Sequence, residues 1–204
     1  TRFTGGTQTW AENMDLMFTF RGIPCVYYGS EVEFKKGELI DKGTLISLEN
    51  SGRAYFGDYL EGTVKATDFS EYTASGTVAD TLASPLSKHL SKVNAIRRAI
   101  PALQKGQYTA SSTYVTGGDM SYVRRYTDDN TDSLALVSIS SGATFKNIPN
   151  GKYVDAVTGD VKYVTDGTLT VPELAKANMR VYVCCASGFT GIDGQIGGDS
   201  AYAK

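Results

Sequence analysis

Aromatic rings are the side chains that this sequence offers in excess for a chemical task. It holds 13 Tyr and 8 Phe in 204 residues, and flat ring faces are what sugar rings stack on. Tyr55 and Phe56 stand together in Gly52-Arg53-Ala54-Tyr55-Phe56-Gly57-Asp58, and Tyr27 and Tyr28 precede Gly29. Tyr55 and Phe56 can stack on a sugar or anchor their own loop, while Tyr27 and Tyr28 read as packing residues, one of which can edge a sugar; most other rings belong to core or sheet. His89 is the only histidine, so no multi-histidine metal centre exists within the chain. On a helical wheel it falls inside an apolar stripe, which makes it a packing residue. The run Asp128-Asp129-Asn130-Thr131-Asp132 has the look of a calcium loop but lacks the Gly and terminal Glu of an EF-hand. It reads as a solvated turn. No Gly-rich phosphate loop, Cys-x-x-Cys pair or nucleophile elbow is present.

The totals narrow the partners. A net charge of −2 supplies no basic footprint for nucleic acid and no polybasic membrane anchor. No apolar run approaches the roughly 18 residues of a membrane span. Neither nucleic acid nor membrane is therefore an expected partner. The opening Thr1-Arg2-Phe3-Thr4-Gly5-Gly6 reads as a mid-protein loop rather than a signal peptide. Of three cysteines, Cys184 and Cys185 are adjacent and point to opposite faces of a strand, while Cys25 sits in an apolar run as an expected buried thiol. Cysteine leaves the compartment open.

The elements that would position these residues change character along the chain. Trp10, Met14, Met17 and Phe18 form one helical stripe, with Thr7 or Thr9 available as a cap. Residues 23–28 are continuously apolar, as suits a strand buried on both faces of a parallel sheet. From about Gly37 to Ser84 glycines recur and periodicity dissolves into a long loop. Ser84-Pro85 then opens a helix with Leu86, Leu90, Val93, Ile96 and Ile100 on its inner side, and Pro101 stops it. After Gly106 the period becomes two. Residues 122–127, 134–140, 153–157, 161–164, 168–171 and 179–185 read as short strands, with Thr158-Gly159-Asp160 as a hairpin turn. Such a series predicts an antiparallel sandwich.

The order of these parts resembles the end of an α-amylase of glycoside hydrolase family 13. Gly22-Ile23-Pro24-Cys25-Val26-Tyr27-Tyr28-Gly29-Ser30-Glu31 is similar to that family's eighth barrel strand. Leu90 to Leu103, containing Ile96-Arg97-Arg98-Ala99-Ile100-Pro101-Ala102-Leu103, resembles its last barrel helix. Gly118 to Arg125 and Ile148 to Gly159 resemble hairpins of its C-terminal domain, and Gln195-Ile196-Gly197-Gly198-Asp199 the lead-in to further domains in cyclodextrin-forming relatives. The fold class implied is α/β plus all-β: the last strand and helices of a TIM (β/α)8 barrel, then a Greek-key antiparallel β-sandwich. The domains implied are a barrel end at 1–104, a sandwich at 105–187 and a Gly-rich tail or linker at 188–204.

The resemblance also implies a function. The chain would be the C-terminal part of an enzyme acting on α-1,4-glucans by a retaining mechanism. Such chemistry needs two carboxyl groups roughly 5 Å apart, which the family places after strands four and five, with a third Asp after strand seven. All three would lie upstream, and Thr1-Arg2-Phe3 resembles the tail of the pattern carrying the third. The chain alone is then expected to be inactive, with the rest of the barrel and an α-glucan as partners and secretion as its destination. It would hold no cofactor, any calcium belonging to upstream segments. The family's strand-eight loop carries an Asp and an Arg that bind sugar hydroxyls, a role implied for Asp41 and Arg53. An internal ion pair is the other reading, since Gly43 to Gly52 separate them. Glu31 would face the barrel mouth and orient neighbouring groups, and Tyr55 would edge the sugar site. A different class of function is a carbohydrate-binding or structural β-module, for which the sandwich tyrosines Tyr108, Tyr114 and Tyr163 suffice. Alone, residues before about 106 would be expected to lack stable order.

Overall fold

The computed structural model describes residues 5–34, 56–68 and 71–197. Helices α1 (Thr7–Thr19), α2 (Thr77–Ala83), α3 (Pro85–Ala99) and α4 (Pro101–Lys105) carry the first half. Strands β1 (Thr63–Asp68) and β2 (Glu71–Ser75) form a hairpin between them. The second half is all strand: β3 (Gln107–Thr109), β4 (Val115–Thr116), β5 (Ser121–Thr127), β6 (Asp132–Ile139), β7 (Ala143–Phe145), β8 (Gly151–Asp155), β9 (Val161–Val164), β10 (Leu169–Val171) and β11 (Met179–Cys184).

The β strands build a sandwich because β6 and β11 are apolar on both faces. A six-stranded sheet in the order β3-β5-β6-β11-β8-β9 lies over a three-stranded sheet in the order β10-β7-β4, every pair antiparallel. Strand β11 returns late in the chain to lie between β6 and β8. Leu134 and Leu136 of β6, with Tyr182 and Cys184 of β11, point at Val115, Phe145, Leu169 and Val171 of the small sheet. Alternate residues point the other way. Ala135, Val137, Ile139, Val181 and Val183 pack on Phe18, Val93, Ile96, Ile100 and Leu103 of the helices. The large sheet is thus the middle of three layers, and each fully buried aliphatic side chain stabilises by about 1.5–3 kcal/mol.

Helix α3 begins as its sequence dictates. Ser84 caps it, its hydroxyl accepting the Ser87 N–H at 3.2 Å, and Pro85 occupies the first turn. His89, fully buried, reaches α1, its Nε2 2.9 Å from Asp15 Oδ1 and 3.2 Å from the Ala11 carbonyl. Both partners accept, so Nε2 carries the shared proton. The packing role read from the sequence is joined by a specific polar contact.

Several expectations are corrected. Gly6, not Thr7 or Thr9, is the N-cap of α1 and supplies no side-chain bond; Thr7 Oγ1 donates to the Glu33 carboxylate at 3.4 Å. Residues 23–27 join no sheet, Ile23 is 95% exposed and Cys25 is exposed rather than buried. A parallel strand exists only with neighbours on its edges, and the described residues offer none. The stretch expected as loop holds β1, β2 and α2. Its hairpin exposes both faces at 63–66 and 72–73, so no apolar alternation marks it. Gly62, at φ 127°, is required there because a Cβ would run into the Ser75 carbonyl. The Gly-rich segment packs onto the body as far as 197: Ile192 and Ile196 join the helix-side core, and Ile196 N–H bonds the Ala156 carbonyl at 2.8 Å. Helices α1 and α3 share a core with the sheet. No described helix is long and apolar enough to cross a membrane.

Candidate functional site

Glu31 sits in a short 3-10 turn, Ser30–Val32, built on the preceding Tyr-Tyr-Gly. Gly29 makes this turn possible: its φ is 78°, and a Cβ would lie 2.6 Å from the Phe34 Cβ. Ser30 N–H and its hydroxyl both donate to the Tyr27 carbonyl, at 3.1 and 2.6 Å, and Phe34 N–H closes on the Gly29 carbonyl at 2.9 Å. The turn is then tied to the start of α3, where Ser84 Oγ donates to the Glu31 carbonyl at 3.0 Å. The same serine that caps the helix therefore fixes Glu31.

Beside Glu31 opens a cleft of about 590 Å³ walled by Phe18, Pro24, Val26, Leu90 and Asn94. The wall is mostly apolar, because it includes the inner side of the unpaired segment 23–27. The Glu31 carboxylate is half-buried and has no hydrogen-bond partner among the described residues.

An aromatic cluster forms around the same turn. Tyr28 lies against Phe34 and Phe56 at 6.1 and 5.8 Å between centroids, Phe34 against Phe56 at 5.2 Å, and Phe56 stacks on Tyr59 at 4.9 Å and 10°. Tyr27, at 4.6 Å from Tyr28, is 46% exposed and Tyr59 is 38% exposed. Phe56 thus serves as a loop anchor, one of the two roles open to it from sequence. Tyr59 was not singled out by sequence reasoning, although Phe56-Gly57-Asp58-Tyr59 offered the signal of a second ring three residues on. Asp41, Arg53 and Tyr55 lie outside the described residues.

The entrance to this region is braced by two buried arginines. Arg97 of α3 donates to the Phe18, Phe20 and Gly22 carbonyls at 2.9, 3.3 and 2.6 Å. Arg124 of β5 donates to those of Thr19, Leu103 and Gly106 at 2.7, 3.4 and 2.8 Å. Burial lowers both guanidinium pKa values from their ordinary level, yet arginine stays charged and the carbonyls it meets complement the charge. Thr19 Oγ1 and the Tyr122 hydroxyl add a bond of 2.6 Å. Burial drives the Tyr122 pKa up. The sandwich thereby grips the end of α1 and aims the chain into segment 23–31.

Among the described residues no three His, Cys, Asp or Glu side chains gather as ligands. The acidic run 128–132 forms the β5–β6 turn, where Asp128 accepts from Asn130 N–H at 2.9 Å and the Tyr126 hydroxyl at 2.8 Å; the Asn130 N–H, first, holds its carboxyl below the usual range.

No family model matches the chain. It is 31% identical over 167 residues to an α-amylase of Streptomyces lividans, a match covering 82% of this chain. The chain spans 17% of that relative's length. Among solved structures, Ttha1563 from Thermus thermophilus is similar at 18% identity, covering 87% of this chain and 31% of that one with a TM-score of 0.46. The cyclomaltodextrin glucanotransferase CldA aligns at 19% identity over 87% of this chain and 32% of its own, TM-score 0.42. An isomaltulose synthase from Erwinia rhapontici NX5 aligns at 18% over 86% and 38%, TM-score 0.43.

Proposed function

The chain belongs to the α-amylase family, and we propose that it is the C-terminal part of a secreted enzyme acting on α-1,4-glucans by retention. In this reading α1 is the seventh barrel helix, residues 23–28 the eighth strand and α3 the eighth helix, with the sandwich from about 105 as a separate domain. One observation carries the reading: segment 23–27 is apolar and joins no sheet, with Ile23 95% exposed. An isolated apolar strand with open edges is an invitation to pairing. Strands from the upstream barrel would occupy both edges and bring the two catalytic carboxyl groups to the mouth where Glu31 and the aromatic turn stand.

The division of labour follows. The upstream part supplies nucleophile and acid, and any calcium. This part supplies one wall of the cleft, with Asp41 and Arg53 binding sugar hydroxyls through bidentate, charge-assisted bonds, Glu31 orienting its neighbours and Tyr55 edging the sugar. No cofactor is assigned to it.

Assembly is the direct test. The chain is mixed with a separately produced upstream barrel region of an α-amylase that ends before the eighth strand, and the complex is followed by size-exclusion chromatography. A one-to-one complex that Ile23→Asp or Val26→Asp abolishes is expected. A chain that stays monomeric, or variants that associate as well as the parent, would contradict the barrel assignment.

A further inference from the structure

A second cavity lies apart from the cleft beside Glu31, between the 3-10 turn Gly57–Tyr59 and α2. It measures about 480 Å³ and is lined by Val32, Asp58, Tyr59, Thr77, Asp80 and Thr81. Its walls are cross-linked. Thr77 Oγ1 donates to the Asp58 and Glu61 carbonyls at 2.6 and 3.2 Å, and Thr81 Oγ1 to the Tyr59 carbonyl at 2.7 Å. Val78 N–H adds a bond to the Glu61 carbonyl at 3.0 Å. Turn and helix are therefore held at a set spacing, so little ordering is left for a ligand to bring about.

The lining combines two chemistries. Tyr59 is backed by Phe56 in a parallel stack and by Phe34 edge-on at 5.5 Å, which fixes a partly exposed ring as a rigid platform. Asp58 and Asp80 are exposed, and neither carboxylate has a hydrogen bond or ion pair among the described residues. We propose that this cavity is a sugar subsite, taking one pyranose-sized unit with its C–H face on Tyr59 and its hydroxyls donating to Asp58 and Asp80. The choice of a sugar rests on the glucan reading above.

Other ligand classes fit less well. A hard cation wants six or more oxygens and gains nothing from an aromatic wall. An anion meets two carboxylates of its own sign, and a purely apolar ligand would strip water from them without return. An organic ammonium suits both ring and carboxylates, and is the competitor that the test must separate.

The test is a titration of the 204-residue chain with maltose in the presence of EDTA, followed by amide chemical shifts. Saturable shifts grouped at 57–61 and 77–81 are expected at millimolar sugar. Tyr59→Ala and Asp80→Asn should each weaken binding about tenfold, which is about 1.4 kcal/mol. Tyr59→Phe, which keeps the platform, should retain it, and Val161→Ala, at an exposed site on β9, should leave it unchanged; a native-like spectrum for each variant shows that it folds. Absence of shifts at these residues overturns the subsite, as does binding of choline or of calcium in place of maltose. Its fate is separable from that of the assembly: maltose shifts here in a chain that never joins a barrel would leave the subsite standing and sink the glucan-enzyme reading. An assembled enzyme with no maltose response here would do the reverse.

Discussion

Arg124 joins three backbone carbonyls from separate parts of the chain, and Arg97 gathers three from the single stretch 18–22. A hydrogen bond to a charged group contributes about 1.5–3 kcal/mol, and carbonyls left buried without a donor add their own cost. Arg97→Met and Arg124→Met should each lower stability by about 2–4 kcal/mol in denaturant melts. Lysine should recover little of it, since one ammonium cannot span the fork that a guanidinium does. Asp15 makes a second prediction at this scale. Burial is the main cause raising its pKa from 3.8 to about 6, against the opposing hydrogen bond from His89. Between pH 4 and about 6 the folded state holds a proton that the unfolded state has released, so stability falls as pH rises through that window. The loss should be on the order of 2–3 kcal/mol, complete above about pH 6. Asp15→Asn should flatten the slope in melts run from pH 4 to 7; an unchanged slope would show that another group sets it. Asp155 is buried too, and burial raises its pKa although it accepts Val157, Thr158 and Val181 N–H groups and the Thr158 hydroxyl.

At the scale of elements, what the sequence revealed depended on whether a local rule and tertiary packing agreed. Ser84 and Pro85 announced α3 because capping chemistry is written within four residues, and packing then used the predicted face. The β8–β9 hairpin was legible for the same reason, Thr158-Gly159-Asp160 being turn chemistry between alternating runs. Strands β3, β4 and β7 are two or three residues long, too short for any period to show. The β1–β2 hairpin was invisible because solvent bathes both its faces, leaving backbone pairing and glycine geometry as its only determinants. Segment 23–28 misled in the opposite sense: its apolar run asks for burial that these residues alone do not supply. The candidate site was half legible. Glu31 and Phe56 fall at the aromatic turn, Tyr59 and the cavity behind it required the fold, and Asp41, Arg53 and Tyr55 lie outside the described residues. Amide exchange should follow the same division. Residues of α1, α3, β6 and β11 should exchange slowly together because they share one core, whereas 23–27 and 63–75 should exchange within seconds to minutes. Fast exchange in α1 and α3 beside a protected sandwich would show that the shared core does not by itself hold the helices. Ile96→Ala, at the centre of that core, should cost about 2–5 kcal/mol and release helix and sheet protection alike.

For the whole molecule, the sandwich acts as a brace as well as a neighbour. It grips α1 through Thr19, Tyr122 and Arg124, and α1 leads directly into the turn that carries Glu31. A part so built offers a wall and a scaffold; in the proposed enzyme the carboxylate pair would come from elsewhere in the barrel. The measurement that bears most directly on this is proton NMR of maltoheptaose incubated with the chain alone and with the chain assembled on the upstream barrel region, read at the anomeric signals before mutarotation. The account predicts no cleavage by the chain alone and release of α-anomers by the assembly. Hydrolysis by the chain alone, or β-anomers from the assembly, would contradict it.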